Sequence, residues 1–195
     1  METNIIPQHK RIGVLFSGGA DSTLMLYQLS KTHPKTEFYL YVGSRLDDEQ
    51  YHLPNVENVL NELKLNNIIV YAIYTFKNRA DGKSKRDDLR KKFVQRYKLD
   101  CMVNGFTKNP DVYLGEGADI QRDQKMEKVV TTKNGITMYR PFADLNKKNI
   151  ANLYKEYGLL ENLFPLTISC EAIKPPRPCK ECWWCKERYW AFGEY

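Results

Sequence analysis

The sequence predicts an α/β fold, a parallel sheet with helices on both faces, followed by a small C-terminal module. Three observations carry that prediction. Short apolar runs alternate with segments of helical periodicity over the first two thirds of the chain. The stretch VLFSGGADSTLML, from Val14, passes from strand to helix through a glycine turn with almost nothing between. Residues 167–195 then abandon the rhythm for cysteines, prolines and aromatics.

In order, Arg11 to Phe16 reads as a short buried strand, and Asp21 and Ser22 can cap the helix STLMLYQLSK behind it. Met25, Leu26 and Leu29 stand at helical spacing. Glu37 to Val42 is a second strand. Pro54 to Leu65 is a helix with Pro54 in its first turn, where the missing N–H costs nothing, and Val56, Val59, Leu60 and Leu63 form its apolar stripe. Asn67 to Phe76 is the clearest strand, rich in branched and aromatic residues. KSKRDDLRKKFVQRYK is a charged helix with a solvated face, and Cys101 to Phe106 a strand. Thr107 to Gly135 is polar and irregular and reads as a partly mobile, substrate-covering loop. Asn146 to Leu159 returns to helix, ending at Gly158. The expected division is 1–166 for the α/β domain and 167–195 for the module. His33 and His52 read as exposed loop residues without a chemical role, and Cys101 as merely buried.

Composition narrows the function. The chain has 195 residues, 42% hydrophobic and 12% aromatic, which suits a globular protein. No apolar run approaches bilayer length and the start lacks the apolar core of a signal peptide, so a cytoplasmic protein without a membrane partner is expected. A net charge of +6 suits an anionic ligand and is too mild to demand nucleic acid.

A strand, a glycine turn and a helix N-terminus make an anion site, because the first helical N–H groups have no partner inside the helix. Gly18 and Gly19 let the backbone approach oxygens closely, and Ser17, Ser22 and Thr23 add hydroxyls. Asp21 would repel phosphate unless it binds Mg²⁺ or caps the helix. In a parallel sheet ligands gather at the carboxyl ends of strands, where Gly43 to Arg45 and the NGFTKNPD segment with Gly105 also fall. Cys170, Cys179, Cys182 and Cys185 have the spacing of a structural tetrahedral Zn²⁺ site; an iron–sulfur cluster is the rival and disulfides the remaining alternative.

SGGADS resembles the S-G-G-x-D-S signature of the PP-loop ATP pyrophosphatases, an adenine nucleotide alpha hydrolase-like fold. Ser169–Cys170 and PCKECWWCKERYWAF (Pro178 to Phe192) resemble the C-terminus of the 7-cyano-7-deazaguanine synthases of queuosine-precursor biosynthesis, with Arg188, Ala191 and Phe192 in place. Lys180 stands where that family has glycine and Glu171 where it has tyrosine. RPFADLNKKNI resembles the family segment whose lysine approaches the ATP phosphates, and it puts Lys147 there; Gly43 and Arg45 resemble the family G-x-R.

The resemblance implies an ATP-dependent carbon–nitrogen ligase. It would convert 7-carboxy-7-deazaguanine and ammonia to 7-cyano-7-deazaguanine through an acyl-adenylate. The cofactors implied are ATP, Mg²⁺ and Zn²⁺. Asp21 and Lys147 would be catalytic, and Ser17, Gly18, Gly19, Ser22, Thr23, Gly43, Arg45 and Gly105 would contact nucleotide. A different acceptor remains open, such as a related deazaguanine, a tRNA base or a protein amine, and so does a nucleotide-binding protein without catalysis. Arg188 faces either the thiolates or a carboxylate. Trp183, Trp184, Tyr189, Trp190 and Phe192 fasten the module to the domain or to a second subunit in a homodimer, with stacking on a purine-like ring as the alternative for them.

Overall fold

In the computed structural model, which describes residues 2–118, 122–123, 126–172 and 177–195, β1 (Arg11–Leu15) lies inside a sheet. It pairs in parallel with β2 (Glu37–Arg45) on one side and β4 (Cys101–Asn104) on the other. β3 (Ile68–Phe76) extends the sheet beyond β2, again in parallel. Beyond β4 comes β6 (Thr137–Tyr139), parallel to it, and then β5 (Val129–Thr131), antiparallel to β6. The order β3-β2-β1-β4-β6-β5 reverses direction between β1 and β4. At such a reversal the loops leaving neighbouring strands diverge and open a crevice at their carboxyl ends.

Two cores flank the sheet. Val14, Phe38 and Leu40 meet Leu24 and Leu29 of α1 (Ala20–Thr32) and Val56 and Val59 of α2 (Glu49–Leu63), all fully buried. On the other face Tyr39, Tyr41 and Met102 meet Phe93 of α3 (Arg79–Tyr97). The α/β class with helices on both faces is therefore as expected. α4 (Lys147–Glu156) joins the first core through Ile150 and Tyr154, and α5 (Trp183–Phe192) packs on α4. Among the described residues no helix is long and apolar enough to cross a membrane.

Several boundaries differ from the sequence reading, for physical reasons. α1 starts at Ala20 with Gly19 as its cap residue, so Asp21 and Ser22 fall inside the first turn and cap nothing from outside. α2 begins at Glu49, so Pro54 is an interior residue that removes one helical hydrogen bond. α3 begins at Arg79 because the Asn78 side chain accepts from the Asp81 amide at 3.0 Å. β5 and β6 arise within and just after the segment read as loop; at three residues each they are too short to show a period. His33 is no exposed loop residue: it is 1% exposed, with its Nε2 3.0 Å from the Ile6 carbonyl oxygen.

α4 starts where expected. Asn146 accepts from the amides of Lys148 (3.0 Å) and Asn149 (3.2 Å), and the Asn149 side chain accepts from the Asn146 amide at 2.9 Å. This reciprocal cap fixes Lys147 at the first helical position. Tyr154, fully buried, donates its hydroxyl to the Ala20 carbonyl at 2.9 Å and meets the rings of Phe164 and Phe192 edge-on. One side chain thus joins α1, α4 and α5. Tyr154→Phe is expected to cost about 1 kcal/mol in urea denaturation; an unchanged midpoint would mean that the hydroxyl does not bind α1.

Candidate active site at the strand reversal

A cavity of about 540 Å³ opens at the carboxyl ends of β1, β2 and β4. Ser17, Gly19, Asp21, Ser22, Gly43, Arg45, Gly105 and Lys147 all line it. A Cβ at Gly105 would lie 3.1 Å from the Asp21 carbonyl carbon and 3.2 Å from the Ser22 amide, so a side chain there would push the two segments apart by a few tenths of an ångström. β4 and the start of α1 approach each other that closely.

The loop between β1 and α1 is arranged to present positive potential. His52 Nε2 lies 3.0 Å from the Ser17 carbonyl oxygen, so that nitrogen carries the proton and donates. Its Nδ1 is 3.2 Å from the Ser44 hydroxyl. Asn55 Nδ2 donates to the Gly18 carbonyl at 3.2 Å. The Gly19 carbonyl accepts from Ser22 Oγ at 3.1 Å and from the Thr23 amide at 3.0 Å. Three successive carbonyls are therefore tied up by named donors. The amides of Ala20, Asp21 and Ser22 have no acceptor within the helix. An anion at this turn meets N–H dipoles rather than carbonyl oxygens. The turn needs Gly18 at φ +67°, a left-handed conformation, with Asn55 and Val56 packed where a side chain would go.

Two of the expected nucleotide contacts do not reach the cavity. Thr23 is fully buried on the core face of α1, because one residue beyond Ser22 the helix has turned by about 100°. Gly18 lies behind the loop against α2. Arg45 lines the cavity but is held by Asp47 at 3.2 Å and Asp48 at 3.7 Å. His52, expected in an exposed loop, is on α2 and lines the cavity.

Asp21 and Lys147 meet across the chain, Lys147 Nζ donating to Asp21 Oδ2 at 2.5 Å. Lys147 Nζ is also 3.9 Å from Glu187 Oε2, and the other Glu187 oxygen accepts from Arg122 at 2.5 Å. Arg122 further donates to the Thr107 carbonyl at 2.8 Å and to the Lys108 carbonyl at 3.1 Å. The side chains of Lys147, Glu187 and Arg122 are 6%, 1% and 4% exposed, so four alternating charges run from the loop into the interior. Buried charges survive only when paired in this way. Asp21 Oδ1, also buried, has no hydrogen-bond partner among the described residues, which leaves one carboxylate oxygen for a cation.

Sequence reasoning missed Glu187 and Arg122. Glu187 sits in an aromatic run that hides helical periodicity, and Arg122 lies in the polar segment. That segment is pinned at Arg122; residues 119–121 and 124–125 of the expected mobile loop lie outside the described residues.

Cys170, Cys179, Cys182 and Cys185 come together with all four sulfurs within 4.8 Å of one another, Cys179 and Cys185 at 3.9 Å. Tetrahedral zinc with bonds of about 2.3 Å would set sulfurs about 3.8 Å apart. The amides of Cys179 and Cys182 donate to the sulfurs of Cys170 (3.4 Å) and Cys179 (3.3 Å). No disulfide joins any of the five cysteines in this structure. Lys180 takes φ +64°, which accounts for the glycine expected there by resemblance.

Arg188 is buried, and its hydrogen bonds run to Thr167 Oγ1 at 2.8 Å and to the Phe164 carbonyl at 3.1 Å. It stacks on the Phe164 ring, and burial lowers its pKa to about 10. Trp183 is buried, while Trp184 reaches the cavity; the Arg122 guanidinium lies over both rings.

The fold is PP-loop-like. The U34-tRNA thiolase NcsA from Methanococcus maripaludis, solved with its 4Fe–4S cluster, superposes with a TM-score of 0.55 at 16% identity over 87% of this chain and 64% of its own. NMN synthetase from Francisella tularensis superposes with a TM-score of 0.56 at 13% identity over 100% of this chain and 82% of its own. More specifically, residues 106–195 match the family model of queuosine biosynthesis protein QueC. A probable tRNA sulfurtransferase from Mycoplasmopsis pulmonis (strain UAB CTIP) is 25% identical over 174 residues, 84% of this chain and 45% of the relative. The chain thus spans under half the length of that curated relative.

Glu187→Gln is expected to destabilise the protein by about 3 kcal/mol, since two buried cations lose their shared carboxylate. Urea denaturation measures this; a loss under about 1 kcal/mol would mean that water already reaches the pair.

Proposed function

We propose that the chain is an ATP-dependent ligase that makes 7-cyano-7-deazaguanine from 7-carboxy-7-deazaguanine and ammonia. The observation that carries this reading is the loop at Ser17, its carbonyls tied back and its helix amides facing a cavity closed by Lys147. The match of residues 106–195 to the QueC model supports the acceptor.

ATP would lie with its β- and γ-phosphates on the amides of Ala20 to Ser22 and the hydroxyls of Ser17 and Ser22. Lys147 would share its proton-bearing nitrogen between Asp21 and the pyrophosphate. The leaving group would thereby meet fixed positive charge that needs no reorganisation. Mg²⁺, held through the unpartnered Asp21 Oδ1, would supply further charge neutralisation.

The acceptor carboxylate oxygen attacks the α-phosphorus and the bond to pyrophosphate breaks. Ammonia then adds to the acyl carbon, AMP leaves and one proton passes to solvent, giving the amide. The amide oxygen attacks the α-phosphorus of a second ATP and a second pyrophosphate leaves; loss of AMP from carbon, with both protons of the amide nitrogen passing to solvent, then leaves the nitrile. No side chain in the cavity need act as nucleophile; orientation suffices for ammonia.

We read 1–166 as the nucleotide-binding unit and 167–195 as a module ordered by zinc. Four clustered thiolates leave no open position on the ion, which makes the site structural. Sulfur separations of no more than 4.8 Å support a single ion, since an iron–sulfur cubane would place its own atoms between the thiolates and spread them. The purified protein is expected to be colourless with about one zinc per chain by elemental analysis, and Cys182→Ser to lose it. Visible absorbance with iron would contradict the zinc assignment.

A second reading, action on a tRNA base, is favoured by the curated relative and the solved thiolase. Sulfur relayed on this protein's own cysteine fits poorly: outside the cluster stands only Cys101, 1% exposed, its pKa raised to about 12 by burial.

Pyrophosphate release with ATP, ammonia and 7-carboxy-7-deazaguanine, with product mass by spectrometry, decides. Release is expected, and Asp21→Ala is expected to lower it at least about 100-fold. Release only with tRNA would transfer the reading to the second acceptor, and no release with any acceptor would leave a nucleotide-binding protein without catalysis.

A further inference from the structure

Two of the three tryptophans serve packing. Trp183 is buried, and a Cβ at Gly117, which takes φ +106°, would lie 3.2 Å from the Trp183 Cβ. Trp190 lies beneath the Lys148 ammonium of α4, which stands 4.6 Å from the ring centroid. Trp184 has no such place in the interior: it is half-buried and lines the cavity. Phe106, just past β4, lines it as well. A tryptophan at the wet edge of a cavity presents a large, flat, apolar surface that a planar ligand can cover.

The Trp184 ring is held from behind. Trp184 stands in the first turn of α5, between the cap residue Cys182 and Cys185, two members of the thiol cluster. The Cys182 carbonyl accepts from the amides of Cys185 at 3.0 Å and Lys186 at 3.1 Å, which fixes that turn. Trp183 meets Trp184 at 88° with centroids 5.0 Å apart, and the Arg122 guanidinium lies over the Trp184 ring at 5.4 Å. Arg122 is itself tied to Thr107, Lys108 and Glu187. A surface that is already immobile gives up little freedom when a ligand stacks on it.

We propose that Trp184 is the platform on which the planar ring of the acceptor stacks. The proposal rests on the reading of the Ser17 loop as the ATP site and adds how the second substrate is recognised. β2 and β4 flank β1 on opposite sides. On that reading the nucleotide takes the loop amides and the β2 side, with Gly43 and Arg45. The β4 side is left for the acceptor. Trp184 belongs to that side through Arg122, which bonds to Thr107, and Gly105 brings the same side against Asp21 and Ser22. A ring stacked there lies beside the phosphates, and a carboxylate on its rim can reach the α-phosphorus. Stacking selects a flat, fused heteroaromatic ring and asks for no phosphate on it, which fits a free base.

The test uses the full chain with its metal, saturated with Mg²⁺ and a non-hydrolysable ATP analogue. It titrates 7-carboxy-7-deazaguanine and, separately, guanine, which keeps a fused ring without the carboxylate. Calorimetry reads the affinity and tryptophan fluorescence reads the stacking. Both rings are expected to bind and to quench the emission. Trp184→Leu should weaken both at least about tenfold. Trp184→Phe, which keeps an aromatic face, should weaken them less than about threefold and lose the quenching. Analogue affinity and metal content should be unchanged in both variants. Should Trp184→Leu lose its metal, the loss of quenching in Trp184→Phe at retained affinity decides alone. Binding of neither ring, affinity and quenching indifferent to both variants, or a weaker analogue in Trp184→Leu, which would put adenine on this ring, would overturn the platform. Pyrophosphate release separates it from the reading it rests on. Release at low acceptor concentration that Trp184→Leu leaves unchanged would strike the platform alone, and Trp184-dependent ring binding without any release would strike the ligase alone.

Discussion

The contact on which the site depends is the buried ion pair between Lys147 and Asp21, held from behind by Glu187 and Arg122. Each member is costly to bury alone, and together they alternate in sign. The chain of charges also ties remote parts of the sequence together. Asp21 belongs to the helix that follows β1, Lys147 to the capped start of α4, Arg122 to the irregular segment and Glu187 to the helix that carries Cys185. Displacing any of these elements separates a charge from its partner in a medium that screens poorly, so the four elements keep one arrangement.

That coupling gives the cysteine cluster a role beyond ordering a tail. Cys185 and Glu187 lie two residues apart on α5, whose rings of Phe192 and Trp183 are packed into the domain and against Arg122. On the proposed reading, the ion that gathers the thiolates fixes the start of α5 and, through Glu187, the position of Lys147 Nζ. The strand reversal between β1 and β4 supplies the opening, and Gly105 lets β4 come close enough to α1 for loop and lysine to share it.

Much of this frame was legible in the sequence. β1, α1 and β3 follow from apolar runs and the glycine turn, and the four cysteines from their spacing, because these signals are local. Non-local features were not legible. Asp21 and Lys147 are 126 residues apart, and nothing in either segment states that they touch. His52 and Asn55 carry the loop's carbonyls only because α2 begins before Pro54, against the local preference of proline. Arg86 and Arg90 sit in a helix whose composition reads as solvated, and only the tertiary fold turns two of its cations toward a cavity. β5 and β6 are strands because β4 offers an edge, not because three residues insist on it.

The most direct measurement is the affinity of Mg²⁺–ATP for the protein and for its Lys147→Ala form, by calorimetry without acceptor. Lys147→Ala is expected to bind at least about tenfold more weakly, a change of about 1.4 kcal/mol. Equal affinity would contradict the claim that the buried charge chain delivers this lysine to the nucleotide's phosphates.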